Sequence, residues 1–223
     1  MSVIPLTTTG PDPTVMQDPS KFDPQGTTIL ILELEEAQLA DERASNVCYD
    51  LRVGSKYRDH RDRNVREIPN DGVVTLRPGS ALIIQTEEYL HLPSQLYGTI
   101  ASKVSLLELG LSSTFSKVDP GYPGHLLITL FNLGQTTVRL RRGERFCALT
   151  LYRVAPGARI YKKGPKEITA TPAKQPRRGL RAWLESRVEA HLILATMALM
   201  VVTFLLMAVE LVRLISAIRH RSG

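Results

Sequence analysis

The sequence predicts a mainly β fold, a distorted β-barrel of jelly-roll type, followed by one C-terminal transmembrane α-helix. Three observations carry this. Short β-rich runs recur roughly every 8–12 residues, separated by Gly and Pro turns. Helical periodicity is nearly absent from the first two thirds of the chain. From Leu192 to Val209 every residue is uncharged, and two threonines are its only polar side chains.

The 223 residues suffice for one domain with tails. Residues 1–27 read as an extended N-terminal arm, with prolines at 5, 11, 13, 19 and 24. The β domain is expected over residues 28–157. Thr28 to Leu34 is its first strand, and Glu35 to Ala44 a short helix. Val47 to Val53 alternates weakly. Pro69-Asn70-Asp71-Gly72 is a turn before a strand at Val73 to Leu76. Arg77-Pro78-Gly79 turns into a strand at Ala81 to Thr86. Leu96 to Ala101 is strand-like, and Val104 to Leu111 suggests one helical turn. Asp119-Pro120-Gly121 and Tyr122-Pro123-Gly124 are back-to-back turns before a buried strand, His125 to Phe131. Thr137 to Leu140 and Phe146 to Val154, joined by Arg142-Gly143, complete the set.

Residues 158–181 form a basic linker. Arg159, Lys162, Lys163, Lys166, Lys174, Arg177, Arg178 and Arg181 stand against one acid, Glu167. The rest of the chain is near neutral although the net charge is +6, which argues against nucleic acid as a partner. The linker suits either anionic lipid headgroups or solvent. Residues 182–219 hold the juxtamembrane and transmembrane helix. The run from Leu192 to Val209 spans about 27 Å as a helix, close to the hydrocarbon thickness. It is apolar on all faces, and threonine hydroxyls can bond back to the helix backbone. Trp183 suits the interface, and five basic residues before the span against three after it place the N-terminal side inside. The short tail reads as that of a tail anchor. Met1 to Gln25 lacks the pattern of a signal peptide, so a single-pass membrane protein with a cytoplasmic N-terminal domain is expected. Glu210 and Arg213 form either an interfacial pair or part of an acidic ring. Cys48 and Cys147 make neither a disulfide framework nor a zinc set.

Five segments in order resemble the dCTP deaminase and trimeric dUTPase superfamily. Asn46 to Gly54 is similar to its first motif, with Asp50-Leu51-Arg52-Val53-Gly54. Leu76 to Gly79 and Glu87 to Gly98 resemble the segment before the second. Lys103 to Leu111 lies where the family has its phosphate-binding Arg-Ser-Ser-Leu-Ala-Arg-Leu-Gly-Leu. Lys117 to His125 is close to the third, Ile-Asp-Pro-Gly-Tyr-x-Gly. Leu130 to Gly134 and Leu140 to Phe146 follow. The resemblance implies a dUTPase-like barrel, a homotrimer with nucleotide sites at subunit interfaces, and magnesium as the cofactor accompanying a nucleoside triphosphate. It implies nucleotide contacts at Lys103, Ser105, Lys117, Asp119, Tyr122 and Thr129. No residue set reads as a metal site of its own.

The departures matter as much. The deaminase branch places a glutamate where this chain has Thr129, and a hydroxyl is no carboxylate base near neutral pH. Lys103 stands for an arginine and loses the bidentate fork. Val104 stands for a serine, Glu108 for an arginine, Lys117 for an arginine and Ala148 for a glutamine. Asp119 is then the one candidate catalytic base, if the protein is active; otherwise it caps its turn. Tyr161-Lys162-Lys163-Gly164-Pro165 resembles the deaminase arm, or begins the membrane linker. His125 reads as structural. Three functions remain open: a membrane-anchored nucleotide-binding protein with deaminase catalysis lost, an active dCTP deaminase or dUTP diphosphatase with a rebuilt site, or a nucleotide-gated membrane effector. The last draws on Ala195, Ala198 and Ala208 as small helix-contact residues.

Overall fold

Eleven residues from Ala81 to His91 alternate inward and outward, and they form the strand around which the others assemble. The computed structural model describes residues 2–169 other than Pro11, Glu42, Ala44, Arg63 and Pro156, together with seven helical positions between 196 and 207. In chain order the strands are β1 (Val15–Met16), β2 (Ile29–Leu32), β3 (Tyr49–Asp59), β4 (Arg66–Glu67), β5 (Val73–Leu76) and β6 (Ala81–His91). They continue as β7 (Leu96–Ser102), β8 (Leu111–Ser113), β9 (Ser116–Val118), β10 (Pro123–Asn132), β11 (Val138–Arg141) and β12 (Arg145–Arg153). Two short helices, α1 (Ala37–Ala40) and α2 (Val104–Glu108), lie between them.

Ten strands share one sheet whose path runs β1-β2-β6-β3-β12-β7-β9, with β10 branching from β6 to reach β8. β5 and β11 form a separate two-stranded ribbon. Nearly all pairing is antiparallel, the exception being β1 on β2. β3 changes register against β6 between Val53 and Tyr57, which bends the sheet. Gly54 sits at that bend, and a Cβ there would lie 2.6 Å from the carbonyl oxygens of Gln85 and Thr86. The core is continuous, with Leu51, Ile84, Leu90, Leu92, Phe146 and Leu149 fully buried.

The strands differ from expectation chiefly in length. β6 runs on from Thr86 to His91 because Glu87 points outward while Glu88 is accommodated inside. β3 likewise continues past Val53. The N-terminal segment, expected as an extended arm, is pinned to the domain. Ile4 and Leu6 are buried, their N–H groups donate to Leu151 O (3.0 Å) and Asn46 O (2.7 Å), and β1 joins the main sheet.

The chain divides into two compact units, Met1–Pro172 and Ala173–Gly223. Among the described residues no helix is long and apolar enough to cross a membrane. The expected span from Leu192 to Val209 lies largely outside the described residues, as do Trp183, Ala195, Ala198, Ala208, Glu210 and Arg213. Its described positions are helical, and Leu199, Met200, Val201, Phe204 and Met207 are exposed. Thr203 Oγ1 donates to Leu199 O (3.1 Å) and Met200 O (2.9 Å), the back-bonding expected of threonine in an apolar helix.

Candidate functional site

The end of β7 leads directly into α2, so Lys103 falls at the helix N-cap while Val104, Ser105 and Glu108 face solvent. Strand pairing places Asp50 of β3, Ala148 of β12 and Ala101 of β7 in one cross-strand line. Lys103 reaches back over this line, and its Nζ forms an ion pair with the Asp50 carboxylate. A cavity of about 290 Å³ opens beside Asp50, lined also by Gln38, Ser45, Cys48 and Arg145. Arg145 Nη2 donates to Glu35 Oε1 at 2.7 Å and holds that carboxyl below its usual range.

Behind Asp50 lies a buried carboxylate that nothing local in the sequence announces. Glu88 is fully buried and accepts from Arg52 Nε (2.7 Å), Arg52 N–H (3.0 Å) and Tyr49 Oη (3.1 Å). Arg52 Nη2 also donates to Glu33 O. A buried charge is tolerable only with such partners. Burial, with Glu88 adding to it, pushes the Tyr49 phenol well above its usual value. These contacts fix β3 against β6 and so orient the Asp50 side of the strand.

A second cluster forms at the Asp119 turn. Lys117 on β9 donates to Asp119 Oδ1 at 2.7 Å, and this carboxylate raises the lysine above its ordinary pKa. Thr99 is the β7 partner of Lys117, four residues before Lys103, so the two lysines sit about 13 Å apart along the strand. Tyr122 is buried, donates to His125 O at 2.8 Å, and is raised in pKa mainly by burial. His125 Nδ1 lies 3.0 Å from Thr86 O and 3.1 Å from Glu88 O, which makes the ring a sheet-pinning group.

The segment after β12 folds back over this turn. Tyr161 N–H donates to Pro120 O at 2.6 Å, and the rings of Tyr122 and Tyr161 lie 5.2 Å apart. Gly124, at φ +138°, leaves room for Pro165, whose Cβ would stand 2.8 Å from any Cβ at that position. A groove of about 990 Å³ runs between Asp119 and the basic side chains of Arg159, Lys162, Lys163 and Lys166. Thus Tyr161 to Pro165 is docked on the domain, at the turn that carries Asp119.

Thr129 belongs to neither cluster. It lies half-buried on β10, opposite Ile83 of β6, which in turn faces Arg58 of β3. Its neighbour Leu130 pairs with Ser113 of β8, and Ser113 Oγ lies 2.7 Å from Ser102 Oγ. That bond ties β8 to the strand end before Lys103.

A family model described as dCTP deaminase-like matches residues 25–154. The chain belongs to the dCTP deaminase-like family. The dCTP deaminase of Thermococcus kodakarensis is 31% identical over 140 residues, covering 61% of this chain and 89% of that protein. The dCTP deaminase of Pyrococcus furiosus is 32% identical over 129 residues, covering 56% and 79%. Among solved structures, the dCTP deaminase of Agrobacterium tumefaciens aligns with a TM-score of 0.46 at 22% identity, over 55% of this chain and 41% of that one. A Staphylococcus bacteriophage 80alpha dUTPase aligns with a TM-score of 0.43 at 17% identity, over 62% and 98%.

Within this dCTP deaminase-like domain the residues expected to touch a nucleotide fall into three places. Lys103 and Ser105 lie at the start of α2, Lys117, Asp119 and Tyr122 at the turn, and Thr129 on β10. Both lysines are engaged by carboxylates of the same chain. Asp50 was legible as a motif residue, yet its partnership with Lys103 was not. Among the described residues no three His, Cys, Asp or Glu side chains gather to hold a metal, so a magnesium ion would depend on triphosphate oxygens and water for most of its ligands.

Proposed function

We propose that this dCTP deaminase-like domain binds a pyrimidine deoxynucleotide at the interfaces of a homotrimer and no longer deaminates it, and that a C-terminal membrane helix tethers it with the domain on the cytoplasmic side. One observation carries the loss of catalysis. The half-exposed positions of β10 are Pro123, His125, Leu127, Thr129 and Phe131, and none is a carboxylate. Water attack on a cytosine ring needs a group that takes and returns protons near neutral pH, and a threonine hydroxyl does not.

Assembly is supported by large apolar side chains that one copy leaves exposed: Val104, Leu107, Leu109, Phe115 and Leu133. Contact between copies removes them from water. The tether is supported by the exposed apolar side chains of Leu199, Phe204 and Met207 on a helix, and the basic linker suits anionic headgroups. Lys103, Ser105 and Lys117 face the phosphates in this reading, with magnesium accompanying the triphosphate.

The test uses the full chain in mild detergent, incubated with dCTP or dUTP and magnesium. Ion-exchange chromatography follows the nucleotides. Intact substrates, with a rise in melting temperature on adding nucleotide, are expected. Formation of dUTP or dUMP from dCTP defeats the loss of deamination. A second reading, hydrolysis with Asp119 as base, draws on the half-exposed Asp119 at the edge of a basic groove. It requires that Asp119→Asn abolish any dUMP formed.

A further inference from the structure

The ribbon of β5 and β11 stands apart from the main sheet, and its two faces differ sharply. Val74, Leu76, Val138 and Leu140 are buried. The opposite face carries Val73, Thr75 and then Arg77 from one strand, and Thr137, Arg139 and Arg141 from the other. Register sets Arg139 across from Thr75 and Arg141 across from Val73. Arg139 and Arg141 are two residues apart on one strand, about 7 Å, and Arg77 lies diagonally beyond Thr75.

All three arginines are exposed, and among the described residues none of their side chains forms an ion pair. Several cations elsewhere are matched: Arg52 by Glu88, Arg66 by Asp62, Lys117 by Asp119, Arg142 by Glu87 and Arg145 by Glu35. The nearest acids in sequence do not pair with these arginines, since Glu144 accepts from the backbone N–H of Arg141 and, among the described residues, Asp71 forms no ion pair. Like charges side by side on a ribbon repel. Each of the three is an arginine, whose planar fork grips a phosphate through two donors where a lysine offers a point charge. Val73 adds an exposed apolar side chain, 45% accessible, to the same face.

We propose that this face docks on anionic phospholipid headgroups, with Arg77, Arg139 and Arg141 gripping phosphate oxygens and laying the domain on the bilayer. The assignment rests on the membrane tether proposed above. A tethered domain meets the bilayer at high effective concentration. The 15 linker residues from Glu167 to Arg181 reach up to roughly 50 Å at full extension, more than the ~40 Å breadth of a domain of this size.

The test reconstitutes the full chain into vesicles of phosphatidylcholine alone, or of phosphatidylcholine with phosphatidylserine. A fluorophore on Thr75→Cys, in a Cys48→Ala background, reports the ribbon face; Cys147 is buried and stays unlabelled. Iodide quenching is expected to fall in the serine vesicles only. The protection should vanish at high salt, and neutralising all three positions (R77Q, R139Q, R141Q) should shift the docked population by roughly a hundredfold. Equal quenching in both vesicles overturns the proposal, as does protection that survives in the triple variant; either result leaves a soluble acidic partner for the ribbon. Carbonate extraction examines the tether separately. A chain that washes off carbonate-treated vesicles defeats the tether, while label protection still decides the ribbon.

Discussion

Lys103 and Asp50 lie 53 residues apart in sequence, yet the lysine Nζ rests on the aspartate carboxylate. Both side chains are about three quarters covered. In the proposed nucleotide site, a phosphate would therefore compete with an internal anion for Lys103. Removing that anion should strengthen phosphate binding. The Asp50→Asn variant is expected to bind a deoxynucleoside triphosphate about two- to fivefold more tightly, the scale of one partly solvated ion pair. Isothermal titration calorimetry measures it. Weaker binding would mean that Asp50 serves the ligand directly, for example through magnesium.

Arg58 presents the reverse situation, a cation with too few partners. It is 8% exposed, and its Nε and Nη1 are buried without an acceptor among the described residues. Burying such groups unpaired costs free energy. A hydrophobic side chain of similar length should relieve that cost. Arg58→Met is expected to raise the unfolding free energy by roughly 1–3 kcal/mol, read from chemical denaturation of the full chain in detergent. A loss of stability would mean that the guanidinium has partners in the assembled protein that one copy lacks.

His91 supplies a pH dependence. Its ring packs on Phe22 at 4.2 Å between centroids, and burial lowers its pKa below the ordinary 6.5. The unfolded chain then takes up the proton more readily than the folded one. The neutral ring's contribution is complete above pH 6.5 and declines as the pH falls through that value toward the lower folded pKa. Stability should drop as the pH falls below about 6.5, and His91→Gln should flatten that part of the curve. Parallel wild-type and variant melting curves over that range would exclude His91 as a source.

Much of the β domain is legible in the chain because its signals are local. Val73 to Leu76 alternates between two turns and forms a strand with those bounds. Pro120, Gly121, Pro123 and Gly124 mark the entry to β10. β8 and β9 are different. They are three residues each, rich in Ser and Lys, and they are strands only because β10 and β7 offer free edges. The Glu88 network is hidden for a related reason. A glutamate in an alternating strand predicts an outward side chain, and only the return of Arg52 and Tyr49 from β3 makes an inward one tolerable. Lys117, Asp119 and Tyr122 were readable as neighbours because they fall within six residues, whereas Lys103 and Asp50 meet only through the β3–β12–β7 pairing.

The docking of the segment after β12 gives the last prediction. Ile160 and Tyr161 pack on Gly121, Pro165 fills the space left by Gly124, and Tyr161 is hydrogen-bonded to Pro120. A methyl group at position 124 collides with Pro165 at 2.8 Å and also strains a backbone at φ +138°. The core residues of β10, Leu126, Ile128 and Leu130, lie beyond the clash and keep the strand in place. Gly124→Ala should therefore release residues 160–166 without unfolding the domain. Limited trypsin digestion reads this directly, since Lys162, Lys163 and Lys166 lie in the released segment. Cleavage there is expected to accelerate about tenfold or more, because local opening sets the rate when reclosing is fast. Cleavage at these lysines as fast in the wild type as in the variant would mean that the segment does not stay docked, and the groove beside Asp119 would lose its basic wall.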